Sequence, residues 1–443
     1  MESPAEAGVG AIPEIAPRPR FGYGSKIGAV PLPLFVVLAL IVYLASITGT
    51  LPKDMVGGFA TVLVLGILLG HLGMNIPILK DIGGPAILSI FVPSVMVYYH
   101  LLNADLIKCI TSLMKDANFL YFYICALVSG SILGMNRVVL IQGFLRMFVP
   151  LVTGTLAAVC VGMLAGLVFG YDLHRSFFYV IMPIFAGGVG EGILPLSIGY
   201  SGVLDAPQST LIPQLIPAAM LGNVVAIICG GLLKKLGERR PEFSGQGLLV
   251  KTGDDAALIA AMNTERPVEF PLMGAGMLIA CCFFLFGSLV SLVVGIPGAV
   301  LMILSAAIVK FLRLIPERME LGTYQYYRFI AANLTWPLLV GIGVVLTPWD
   351  AVVAAVSPAY IGICVSTVLA IVTTGFFVGK LLNMYPVEAA LVTACHSGLG
   401  GTGDVAILSA ASRMELMPFA QISTRLGGAS TVIIAVVLLR IFH

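Results

Sequence analysis

Apolar runs joined by short polar segments fill the chain from about residue 32 to its end. Runs near 32–50, 55–73, 85–102, 118–135 and 148–170 each approach the length that crosses ~30 Å of hydrocarbon. The next apolar stretch, about 177–203, is interrupted by Gly187-Gly188-Val189-Gly190-Glu191-Gly192, and a further run spans 211–233. After a polar segment at 234–269 the plan repeats. Runs near 271–294, 297–312, 329–346 and 359–379 precede a second interrupted stretch at 386–412, and a last run covers 417–442. Short amphipathic pieces fall at 104–117, 137–146, 315–328 and 349–358. The pattern predicts an all-α polytopic membrane protein with about 11 transmembrane helices and two re-entrant hairpins.

The interruptions carry the functional reading. In the second, Leu399-Gly400-Gly401-Thr402-Gly403 is followed directly by Asp404. Broken backbone at membrane depth is tolerated only where protein buries it or it lines a polar cavity, because hydrocarbon offers no hydrogen-bond partner. The arm Phe177–Ala186 is ten residues long, about 15 Å of helix at ~1.5 Å per residue, which is half a bilayer. Two such hairpins, one in each half, mark the substrate site of a secondary transporter.

Five crossings per half is an odd number, so the halves are expected to lie upside down relative to each other as inverted repeats. The expected divisions are a cytoplasmic tail at 1–30 and an extra transmembrane helix at 31–51. A first repeat follows at 52–233 with its hairpin at 177–203, then a cytoplasmic loop at 234–269. The second repeat is 270–443, with its hairpin at 386–412. With the N-terminus inside and the C-terminus outside, inside segments hold eighteen Lys and Arg and outside segments five, as the positive-inside rule demands. The hairpins then enter from opposite faces and meet near the midplane.

Composition narrows the class. Only 10% of the 443 residues are charged and 59% are hydrophobic, which excludes a soluble domain. The eight cysteines show no zinc or redox spacing and read as small packing residues. No nucleotide-binding loop, cofactor motif or nucleic-acid motif appears, which argues against an ATP-driven pump.

A half-helix that starts at mid-membrane presents unpaired N–H groups and a partial positive charge, suited to a carboxylate. Arg425 lies inside the last apolar run, where a charge costs at least ~2.5–3.5 kcal/mol on insertion scales. It either forms a permanent ion pair with Asp404, Glu191 or Glu388, or binds a substrate carboxylate. Met220 stands in its place when Leu221-Gly222 is aligned with Leu426-Gly427, and that asymmetry suits a single anionic substrate. Asp404 and Glu191 would serve a coupling cation, cap the half-helix or hold Arg425. Cys395, Ser397, Gly398, Thr402, Ser423 and Thr424, with the freed carbonyls, are candidate donors of the oxygen ligands that sodium prefers. His396, beside the break, either titrates and couples protons or packs.

At these residues the sequence resembles the 2-hydroxycarboxylate transporter family of bacterial citrate, malate and lactate carriers. The likeness covers nearly the whole chain past the tail. It includes PLPLF at 31–35, MVGGFA at 55–60, the first GGxG with PLS at 195–197, and AAL, GGTGD, SRM and AQISTRLGG in the last quarter. The resemblance implies a homodimer in the bacterial inner membrane, moving its substrate in an elevator fashion with sodium, or alternatively protons, as the coupling ion. It also implies that Gly187, Gly188 and Gly190, Gly400, Gly401, Thr402 and Gly403, and Arg425 hold the substrate, with Thr424 near sodium. Two departures matter: Val189 stands where the sodium–citrate carriers have Asn, and Leu399 where they have Arg. Losing that cation favours a smaller acid, so malate comes first, citrate second and lactate exchange third.

Two rivals remain. Gly401-Thr402-Gly403-Asp404 fits the GxGD of an intramembrane aspartyl protease with Tyr171-Asp172 as partner, yet the expected topology puts Asp172 at the outer surface. A passive anion channel is the other.

Overall fold

The computed structural model describes residues 26–442 apart from 78, 83, 254–266, 295–297, 348, 351–352 and 354–356, with backbone only at 81, 82, 138, 190, 191 and 209. The expected tail up to residue 25, part of the 234–269 loop and half of the 349–358 piece lie outside the described residues. At the end of the expected tail, Lys26–Ile27 pairs with Val30–Pro31 as an antiparallel hairpin. Gly28, at φ +60°, supplies the backbone turn that such a two-residue connection needs.

The described chain is otherwise helical. The first half runs α1 (Leu32–Ile47), α2 (Met55–Asn75), α3 (Gly84–Tyr98), α4 (Ala104–Thr111), α5 (Phe119–Gly134) and α6 (Arg137–Val168). Then α7 (Leu173–Ser176) continues through a π turn at Phe177–Ile181 into α8 (Met182–Ile184). A second π turn, Val189–Ile193, leads into α9 (Leu194–Leu204), followed by α10 (Gln208–Arg239). The second half comprises α11 (Phe270–Val294), α12 (Gly298–Leu312), α13 (Glu317–Val345), α14 (Pro358–Leu381), α15 (Pro386–Cys395), α16 (Gly401–Ala411) and α17 (Met417–Phe442).

Seven of the described helices are long and apolar enough to cross a membrane, and the bent pair of α4 with α5 (48° at the break) makes an eighth. Helices α1, α3 and α12, of 15 or 16 residues, span about 22–24 Å at ~1.5 Å per residue. Two expected boundaries disappear. The piece at 137–146 is continuous with the span at 148–170 as α6, and that at 315–328 with 329–346 as α13. No glycine-proline break separates either pair. Pro150 and Pro337 lie inside the helices, since a proline removes one donor without forcing a helix to end.

The helices sort into two packing groups. In the first, α13 packs against α2, α3, α5 and α11, while α5 packs against α11 and α12. Small residues let these backbones approach. A Cβ on Gly66 of α2 would lie 2.5 Å from the Pro337 nitrogen of α13, and one on Gly276 of α11 2.6 Å from the Thr323 Cα. A buried hydrogen bond between the Tyr123 and Thr335 hydroxyls also ties α5 to α13. In the second group α6 packs along α14, α10 along α16 and α14, and α17 against α9 and α15. This second group carries both interrupted hairpins.

Candidate functional site

The hairpins are interrupted where expected. α8 ends at Ile184 and α15 at Cys395, and the chain turns at Gly187, Gly188 and Gly400, with φ of +88°, +105° and +66°. These left-handed torsions are open to glycine at little cost. The two tips touch: a Cβ on Gly188 would lie 3.0 Å from the Gly400 nitrogen and the Leu399 carbonyl, and one on Gly400 2.7 Å from the Gly187 oxygen. A Cβ on Gly187 would meet the Thr424 oxygen at 2.8 Å. Bare backbone thus brings three segments, distant in sequence, onto one point.

A cavity of about 560 Å³ opens at this junction. Gly187, Gly188, Val189, Leu399, Gly400, Gly401, Thr402 and Arg425 line it from the second helix group. Tyr98, Tyr121, Ile124 and Thr347 are among those facing it from the first. Arg425 is the only basic side chain among its described lining residues. Gly190 and Glu191 lie in the π turn of the first hairpin; their side chains are outside the description, so the roles expected of them rest on sequence.

Behind the cavity runs a buried relay. Arg425 Nε donates to Gln421 Oε1 at 2.9 Å, and Gln421 Nε2 donates to Asp404 Oδ2 at 2.7 Å. Thr424 Oγ1 donates to the other carboxylate oxygen at 2.6 Å and lies 3.1 Å from the Cys395 carbonyl oxygen. The arrangement orients the guanidinium through an amide held by a carboxylate. It also gathers a carboxylate, a hydroxyl and a carbonyl oxygen, a hard donor set suited to an alkali cation. Cys395 contributes its backbone oxygen to this set, and Gly398 N–H donates to the same carbonyl at 2.9 Å. Among the described residues no cluster of His, Cys, Asp and Glu forms a metal site.

His396 stacks on Phe185 of the first hairpin with ring centroids 5.2 Å apart and planes 18° from parallel. Gly427 also packs against this ring. Glu388 does not reach for Arg425. It is fully buried and accepts from Arg413 Nε at 3.1 Å, Ser244 Oγ at 3.0 Å and the Gly245 and Gly247 N–H groups. This cluster, with the Val250–Met384 bridge, fastens the inter-half segment onto the root of the second hairpin. Arg413→Met is expected to cost about 3 kcal/mol, the low end for orphaning a buried charge because three other donors remain. A lowered unfolding midpoint that recovers in Arg413→Met with Glu388→Gln checks it.

Two residues of the site escaped the sequence reading. Asn223 Oδ1 accepts from the Leu399 N–H at 3.3 Å, and Gly403 packs against the same oxygen. Asn223 directly follows the Leu221-Gly222 pair that aligns with Leu426-Gly427, and nothing in the sequence assigned it a task. Gln421 lies one helical turn before Arg425, the spacing at which side chains share a face.

Two broken hairpins close on a buried arginine inside a bundle of apolar helices, and the chain is a multi-pass membrane carrier, not an enzyme. The chain belongs to the 2-hydroxycarboxylate transporter family, whose profile matches residues 27–437. It is 58% identical over 417 residues to a Na(+)-malate symporter of Bacillus subtilis (strain 168), covering 94% of this chain and 93% of that protein. A citrate/malate-proton symporter of the same organism is 42% identical over 419 residues, with 94% and 93% covered. The citrate/sodium symporter of Salmonella typhimurium is 31% identical over 424 residues, with 93% and 94% covered.

Proposed function

We propose that this protein is a sodium-coupled symporter that takes up malate. One observation carries the reading: the chamber offers a single described guanidinium, that of Arg425, and apolar Val189 and Leu399 on its walls. One carboxylate of malate lies on Arg425 as a charge-assisted pair. The other lies at the N-terminus of α16, whose first N–H groups have no partner within the helix. A third carboxylate, as in citrate, would meet no second cation among the described lining residues and would lose its hydration without a counter-charge. The relationship to the Na(+)-malate symporter supports both the acid and the ion, and the Asp404–Thr424–Cys395 oxygens are the proposed sodium donors.

The same reading extends to how the carrier works. Paired contacts support two inverted repeats: α2 with α13 answers α11 with α5, α3 with α13 answers α12 with α5, and α10 with α16 answers α17 with α9. Counting α1, α3 and α12 as crossings gives eleven, with the N-terminus inside and the C-terminus outside. The hairpin-bearing group then travels against the first group as an elevator, in a homodimer of the bacterial inner membrane.

Labelled L-malate uptake by the purified protein in liposomes tests the function. An inward sodium gradient is expected to drive it, with weak inhibition by excess citrate; drive by a proton gradient alone would remove sodium from the proposal. Leu399→Arg is expected to strengthen citrate inhibition at least ~10-fold, about 1.4 kcal/mol. An unchanged citrate constant would mean that position 399 does not select the acid.

A further inference from the structure

A second cavity, of about 520 Å³, reaches the same arginine from another side. Its walls include Asn118, Phe284, Ser288, Gly298, Ala299 and Ala429. Only three described residues line both volumes: Gly187, Arg425 and Tyr121. The first two belong to the substrate site proposed above. Tyr121 comes from α5, in the opposite helix group, and its ring packs against Phe284 with centroids 5.7 Å apart. Tyr121 is therefore the described aromatic residue shared by the walls of the malate chamber and of a second lobe of similar size.

We infer that Tyr121 is a specificity-determining residue, whose ring closes the second lobe to any bulky substituent on the hydroxyl-bearing carbon of the cargo. This inference rests on the reading of the chamber as a hydroxycarboxylate site. An acid held by Arg425 and the hairpin tips would place that carbon on the Tyr121 side of the chamber, with its substituent directed at the phenol ring. A hydrogen or methyl group clears the ring, whereas a branched group collides with it. Without the ring the lobe becomes a substituent pocket, partly apolar through Phe284 and Ala299 and partly polar through Asn118 and Ser288.

The test is inhibition of labelled malate counterflow by 2-isopropylmalate, read as the ratio of its inhibition constant to the malate KM. The unmodified carrier is expected to exclude this acid. Tyr121→Ala should lower the ratio at least tenfold, while Tyr121→Phe, which keeps the ring, should leave it unchanged. Tyr121→Leu gives the same reading if the alanine variant folds poorly. Adding Ala299→Leu to Tyr121→Ala should refill the lobe and restore exclusion. A merely structural tyrosine would move both constants by the same factor, and that result, or an alanine ratio equal to the unmodified one, overturns the inference. Counterflow of another 2-hydroxy acid in place of malate would sink the malate reading and leave this test intact, with that acid as tracer.

Discussion

Arg425→Ala is expected to lower kcat/KM for malate by roughly 30-fold to a few thousand-fold. Truncating one partner of a buried, hydrogen-bonded charge pair costs about 2–5 kcal/mol, and each 1.4 kcal/mol is tenfold. The side chain is buried, with 8% of its surface exposed, so water does not replace it. Arg425→Lys should recover only part of the loss. An ammonium keeps the charge but lacks both the planar fork and the Nε–H that holds Gln421. Uptake measured at matched protein levels in liposomes gives the number. A purely structural arginine, needed only to neutralise Asp404, makes a different forecast: Arg425→Gln combined with Asp404→Asn would then transport like the unmodified carrier. Restored uptake in that double variant would sink the substrate role.

Much of the architecture was legible because a bilayer leaves few options. Glycine runs inside apolar segments cannot face lipid, so Gly187–Gly192 and Gly400–Gly403 marked the hairpins directly, and the arms end within a few residues of the expected limits. Helix continuity was less legible. The amphipathic beginnings of α6 and α13 looked like separate pieces because their polarity changes at the membrane boundary, yet polarity does not break a helix. The pairing of α5 with α13, and of α6 with α14, depends on surfaces far apart in sequence and had no local mark.

The site divides in the same way. Residues that must be unusual where they stand announced themselves: glycines at positive φ, a charge in an apolar helix, an acid at a half-helix start. Asn223, Gln421 and Tyr121 are ordinary polar residues whose tasks arise from assembly. Asn223 meets Leu399 across 176 positions, and Gln421 meets Asp404 across 17. Glu388 shows the converse error. It was grouped with Arg425 as a buried acid in the same region, whereas its partner is Arg413, at the root of the hairpin.

Asp404→Asn should weaken sodium activation of malate uptake at least ~10-fold and reduce malate affinity with it. The carboxylate accepts from both Gln421 and Thr424; an asparagine offers one acceptor and one donor in the same space. If its amide faces Gln421, donor meets donor and the relay that orients the guanidinium breaks; if it faces Thr424, Gln421 keeps its acceptor and the Thr424 hydroxyl donates instead to the Cys395 or Ala420 carbonyl. Either way the proposed cation site loses its charge, and in the first orientation the anion site loosens with it. Thr424→Val separates the two effects. It removes the hydroxyl oxygen but leaves the carboxylate, Gln421 and Arg425 in place, so sodium activation should fall while malate affinity at saturating sodium is nearly kept. Sodium titrations of malate uptake on both variants decide the matter. If neither curve moves, these three oxygens do not hold the coupling ion. If Thr424→Val lowers malate affinity as much as Asp404→Asn does, the relay and the cation donors form one site.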